Sequence, residues 1–113
     1  MSCRPKVLIS EKHVSLAQCL TCHRIGLQYH HTMIGFNEDE FIEFANAVGQ
    51  INFSEQYVEF QNGDIRVLID SCHTDIQFAF LKPEYEEFND FLQQGVILLE
   101  ANRLLKKQDK NKT

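Results

Sequence analysis

The chain has 113 residues, 43 % hydrophobic and 24 % charged, which is the size and balance of one soluble globular domain with an ordinary core. Its formal net charge of −5 argues against broad binding to a nucleic-acid backbone, which relies on clustered lysine and arginine. No apolar run approaches the roughly 20 residues that a transmembrane helix needs, so no membrane partner is expected.

Met1 to Ser10 holds only three consecutive strongly apolar residues, Val7, Leu8 and Ile9, short of the roughly 7–15 of a secretory signal. The expected location is therefore cytoplasmic, where four cysteines read as thiols or metal ligands before they read as disulfides. Nine phenylalanines and no tryptophan point to core packing, since phenylalanine has no polar handle for a ligand.

In chain order, Lys6 to Ser10 and His13 to Gln18 read as two short strands joined at Glu11-Lys12. Arg24 to His30 is a third, with Ile25, Leu27 and Tyr29 on one face. Thr32 to Phe36 is a fourth, weakened by Gly35. Asn37-Glu38-Asp39-Glu40 then starts a helix, with Asn37 as cap and Glu40 at the capping-box position. Phe41, Phe44, Ala45 and Val48 form its apolar stripe, and Gly49 is its natural stop.

Tyr57 to Gln61 and Asp64 to Asp70 flank Asn62-Gly63, which predicts a hairpin with a type I′ turn. A further strand is expected over Asp75 to Leu81, with Ile76, Phe78 and Phe80 together. Pro83 opens the last helix, whose stripe is Tyr85, Phe88, Leu92, Val96 and Leu99, widened by Phe91 and Leu98. Gly95 predicts a kink or break, because glycine costs about 1 kcal/mol inside a helix. From Lys106 the chain is polar and is expected to fray.

The expected fold is α+β, an antiparallel sheet with two helices on one face. Residues 1–106 make a single domain and 107–113 a polar tail. Each half reads as strand, Cys-His turn, strand and acidic-started helix, which suggests a duplicated β-β-α unit with an extra strand in the first copy.

The chemistry of the chain is concentrated at Cys19-x-x-Cys22-His23, with a thinner echo at Cys72-His73. The motif matches a c-type haem attachment pattern, but covalent haem attachment calls for export. A thioredoxin-like redox pair needs the motif at a helix N-terminus inside a βαβ unit, and here it lies between two strands. Structural zinc suits it better: Cys-x-x-Cys at a tight turn aims two thiolates at one tetrahedral ion, and Gly26 resembles the small residue such turns carry. Cys72 would be the third ligand and His73 the first choice for the fourth, followed by His23, His30 and His31. Against this, adjacent Cys72 and His73 do not easily converge on one ion from an extended turn.

The plainer alternative makes Cys19, Cys22 and Cys72 buried or turn residues, since cysteine packs as a small hydrophobe. Cys3 near the terminus is expected to be irrelevant. His30 and His31, adjacent in a strand, would point to opposite faces. The glutamates and aspartates at the two helix starts read as solvated faces. No phosphate-binding glycine loop, nucleophile elbow or His-Glu-x-x-His motif is present.

The Cys-x-x-Cys turn, the Ile/Leu strand after it and the phenylalanine-rich Glu-x-Phe helix resemble a family of small, uncharacterised bacterial proteins, over residues 14–48. The resemblance implies no assigned function and carries no catalytic residue across. Three functional expectations stand: a non-catalytic binding or regulatory module with a protein partner or self-association, with no cofactor; a zinc-stabilised module on Cys19, Cys22 and Cys72; and an enzyme using Cys22 or Cys72 as nucleophile.

Overall fold

A computed structural model describes residues 4–71 and 75–111, with side chains to residue 105. The fold is α+β, as expected, with antiparallel strands divided between two sheets. The chain forms two compact units, Met1–Glu43 with Gln94–Thr113, and Phe44–Gln93.

In the first unit, β1 (Pro5–Ser10), β2 (Val14–Cys19), β3 (Ile25–Tyr29) and β4 (Thr32–Phe36) form a meander in chain order. Alternation in the sequence fixes which face is inward. Leu16, Leu27 and Ile34 pair across three strands as one buried row, and Gln18, Ile25 and Phe36 form the next. Gln18 is thus a polar side chain in an apolar row. The edge strand β1 carries a register shift between Val7 and Ile9, a bulge of the kind that keeps an edge from pairing further.

Helix α1 (Glu38–Gly49) starts with the capping box anticipated from its sequence. The Glu40 N–H donates to Asn37 Oδ1 and the Asn37 N–H to Glu40 Oε1, both at 2.8 Å. Phe41 is fully buried and meets Phe36 edge to face at 5.9 Å.

The second unit contains α2 (Phe53–Gln56), then β5 (Tyr57–Glu59), β6 (Ile65–Asp70) and β7 (Gln77–Phe80), again a meander in chain order. Helix α3 (Lys82–Asn111) follows. The element order is therefore meander and helix twice, with four strands the first time and three the second. The short α2 carries no apolar period and went unforeseen in the sequence.

The core of this unit is aromatic. Phe80 and Phe88 lie 4.8 Å apart, and Phe78 and Phe44 complete the cluster at 5.5 and 6.2 Å from Phe88. The Tyr85 hydroxyl donates to the carbonyls of Val48 at 2.7 Å and Ile51 at 3.1 Å, tying α3 to the last turn of α1 and the residues just after it.

Three local expectations are corrected. The Asn62-Gly63 turn is not type I′, because only Gly63 has positive φ (89°). Asn62 instead accepts the Asp64 N–H through its side chain, and Gly63 N–H bonds back to Phe60, a three-residue loop with glycine in the left-handed position.

Helix α3 runs through Gly95 without a break and continues to Asn111. A Cβ at Gly95 would lie 2.7 Å from Leu16 Cδ2 and 3.2 Å from Phe41 Cζ, so the glycine is there for close approach. Finally, His30 and His31 are not strand residues. They form the two-residue turn between β3 and β4, with Tyr29 paired to Thr32 and His30 at φ 54°.

Candidate metal site

Strands β2 and β3 are hydrogen-bonded neighbours, and Leu20 to Arg24 turn the chain between them. Cys19 closes β2 and is buried, whereas Cys22 sits exposed on the turn. The Cys22 N–H points to Cys19 Sγ at 3.5 Å, the His23 N–H donates to the Cys19 carbonyl, and the Cys19 N–H to the Arg24 carbonyl, both at 2.9 Å.

These bonds wrap the turn around the Cys19 sulfur. Amide N–H groups directed at sulfur commonly surround metal-bound cysteine. His23 closes the turn at φ 63°, in the left-handed region that glycine usually occupies. Gly26, read from the sequence as the small residue that such turns carry, lies within β3, paired to Ala17 and Gly35.

The turn is held by a polar chain invisible in the sequence. The Gln18 side-chain amide donates to the His23 carbonyl and to Glu38 Oε1, each at 3.0 Å. Arg103 of α3 donates through Nε to Glu38 Oε2 and lies 3.6 Å from Asp39.

Burial pushes the Glu38 carboxyl up. The hydrogen bond and charge of Arg103, with Gln18 and the nearby His23, outweigh it and hold the group below the ordinary carboxylate value. Glu38 was foreseen as a solvated helix-start residue. It is the hub that joins β2, α1 and α3 within this unit, and only the odd polar residue in the apolar alternation of β2 hinted at it.

Of the four residues expected to bind metal, Cys19 and Cys22 are brought together by this turn. Cys72 and His73 lie outside the described residues. His30 and His31 stand at the far end of β3, roughly 17 Å away for five strand residues at about 3.4 Å each, and cannot complete the site. Among the described residues, no group of three or more His, Cys, Asp and Glu side chains is placed to hold a metal.

The distal histidines make a different feature. The His13 and His30 rings stack at 4.8 Å and 13°, and the His30 N–H donates to the His13 carbonyl at 2.8 Å. They line an open cleft of about 530 Å³ with Lys12, Ser15, Gln28 and His31. Parallel stacked rings do not direct their nitrogens to a common point, so the pair is not a chelate.

A family model matches residues 1–112 of the chain, nearly its whole length. The chain belongs to DUF6686, a family of unknown function. No curated protein and no solved structure matches it. The expectation of an uncharacterised family thus holds, and the DUF6686 match extends well beyond the stretch on which the resemblance rested. No helix among the described residues is long and apolar enough to cross a membrane.

Proposed function

We propose that this DUF6686 member is a cytoplasmic, non-catalytic binding module that acts as a homodimer through the second half of α3. One observation carries the reading. Ile97, Leu98, Leu104 and Leu105 are 67, 38, 64 and 58 % exposed, on a helix whose other side buries Leu92 and Leu99. Leu98, Ala101 and Leu105 repeat at a and d spacing, with Ile97 and Leu104 beside them, which is the seam of a paired helix.

A second copy is the occupant this seam suits. The same residues related by a two-fold axis are self-complementary. The helix sequence is acidic early, at Glu84, Glu86, Glu87 and Asp90, and basic late, at Lys106, Lys107 and Lys110. Antiparallel pairing about this seam sets Asp90 near Lys110 of the second copy, and parallel pairing sets like charges together.

Light scattering on the full-length protein tests this. A dimer is expected, and Ile97→Glu with Leu104→Glu should return it to monomer with unchanged circular dichroism. A wild type that stays monomeric at high concentration would overturn the reading.

A second reading, a module stapled by structural zinc, is favoured by the N–H of Cys22 directed at Cys19 Sγ. Elemental analysis of protein purified without chelator should then find near-stoichiometric zinc. Cys19→Ser should strongly destabilise the fold, since structural zinc contributes folding free energy directly.

A further inference from the structure

We propose that Cys19 and Cys22 are a redox pair, which a small disulfide of the glutathione type oxidises to a reversible disulfide ring across the β2–β3 turn. The pair needs neither the dimer nor zinc, and zinc would compete for the same two sulfurs.

The turn holds the geometry of that ring before any oxidation. The His23 N–H donates to the Cys19 carbonyl at 2.9 Å, four residues back, so residues 19–23 make one turn of α type. Such a turn sets Cα atoms three residues apart at about 5 Å, and disulfides span about 4.4–6.8 Å. The Cys22 amide already lies 3.5 Å from Cys19 Sγ, and Cys22 Sγ is only three bonds from that nitrogen.

The backbone on either side is braced. The Cys19 N–H donates to the Arg24 carbonyl and the Leu20 N–H to the Arg4 carbonyl, each at 2.9 Å. The Gln18 amide holds the His23 carbonyl at 3.0 Å. Ring closure therefore has little further backbone to order.

Exposure assigns the two sulfurs different tasks. Cys22 is exposed, so a dissolved disulfide reaches it. Cys19 is only 6 % exposed, shielded from a bulky solute yet beside Cys22 in the turn. In the first exchange the Cys22 thiolate attacks one sulfur of the small disulfide, forming a mixed disulfide and releasing one thiolate. In the second, the Cys19 thiolate attacks Cys22 Sγ, closing the ring and releasing the other. The cysteines lose two protons and two electrons, and the small disulfide becomes two thiols. Cys22 lies at the surface, so excess thiol reopens the ring by the reverse steps. A thioredoxin-like pair heads a helix within a βαβ unit. This one closes a hairpin turn, as a site of modification on the protein itself.

The experiment incubates reduced full-length protein with oxidised glutathione and a metal chelator, alkylates the remaining thiols and maps tryptic peptides by mass. The peptide of residues 13–24 holds Cys19 and Cys22 and no other cysteine. In wild type it should lose two hydrogens and carry no alkyl group, and excess reduced glutathione should restore both thiols. Cys19→Ser should stop with one glutathione on Cys22, and Cys22→Ser should take up none on this peptide.

A wild-type peptide that stays doubly alkylated, ends with glutathione attached, or is cross-linked to Cys3 or Cys72 would overturn the proposal. Glutathione on Cys19 in Cys22→Ser would overturn the order of attack. Should Cys19→Ser fail to fold, the wild-type map decides alone. With the chelator present, none of these results bears on zinc, which metal analysis tests separately.

Discussion

The side-chain amide of Gln18 donates to Glu38 Oε1 at 3.0 Å, joining a buried position in the middle of a sheet to the first turn of a helix. The same amide holds the His23 carbonyl, so the conformation of the cysteine turn depends on a carboxylate fifteen residues further along the chain. Glu38→Ala should leave the Gln18 amide underbonded and destabilise the protein by about 1–2 kcal/mol, a range that allows for the part-exposed Arg103 partner. Denaturant unfolding measures it, and an unchanged midpoint would mean that the network contributes nothing.

That carboxylate also sets an acid response. Its pKa in the fold lies below its value in the unfolded chain, so the unfolded state binds the proton more readily. The stabilisation is therefore complete above the ordinary carboxylate value of 4.5 and is lost as pH falls through the depressed folded value. Glu38→Gln should flatten the stability profile over that acid window and leave its slope near neutrality unaltered. Thermal melts across pH 2–7 would show it.

Gly95 gives a prediction opposite in sign to helix propensity. Alanine should gain about 1 kcal/mol as a helix former. The added methyl would meet Leu16 Cδ2 at 2.7 Å, and Leu16 is fully buried in the close-packed core, where moving a side chain displaces others. Overpacking costs about 1–3 kcal/mol, so Gly95→Ala should be net destabilising. A raised melting temperature would show that Leu16 can move aside.

His23 is a β-carbon-bearing residue held at φ 63°. The left-handed region costs such a residue roughly 1–2 kcal/mol, a cost glycine does not bear. His23→Gly should change stability by no more than about 1 kcal/mol in either direction, the relief of the left-handed backbone being offset by the loss of the charge of His23 near Glu38 and by the greater freedom of the unfolded chain. A loss well beyond that in the denaturant midpoint would show that the imidazole contributes more at the turn than its charge near Glu38.

Tyr85 tests the second unit. Its hydroxyl ties α3 to the end of α1 through the Val48 and Ile51 carbonyls, and burial, with the charge of Glu86, pushes its pKa up. Tyr85→Phe removes the donor with little change in packing and should cost about 1 kcal/mol, read in a denaturant midpoint. The phenol should titrate later than an exposed tyrosine in an alkaline absorbance scan.

The sequence by itself determined most of the local structure. Period-two alternation set the inward face of β3, and the Asn37–Glu40 box set the start of α1. These signals are legible because each depends on residues a few positions apart, where hydrophobic period and capping chemistry act directly. Tertiary structure decided the rest. It divided the strands between two sheets, carried α3 unbroken through Gly95, where the missing Cβ leaves room for Leu16 and Phe41, and turned Glu38 from a helix-start residue into a hub. It also placed Arg4 beside the cysteine turn. Each of these rests on residues brought together from 15 or more positions apart, and a distant partner leaves no local period in the chain.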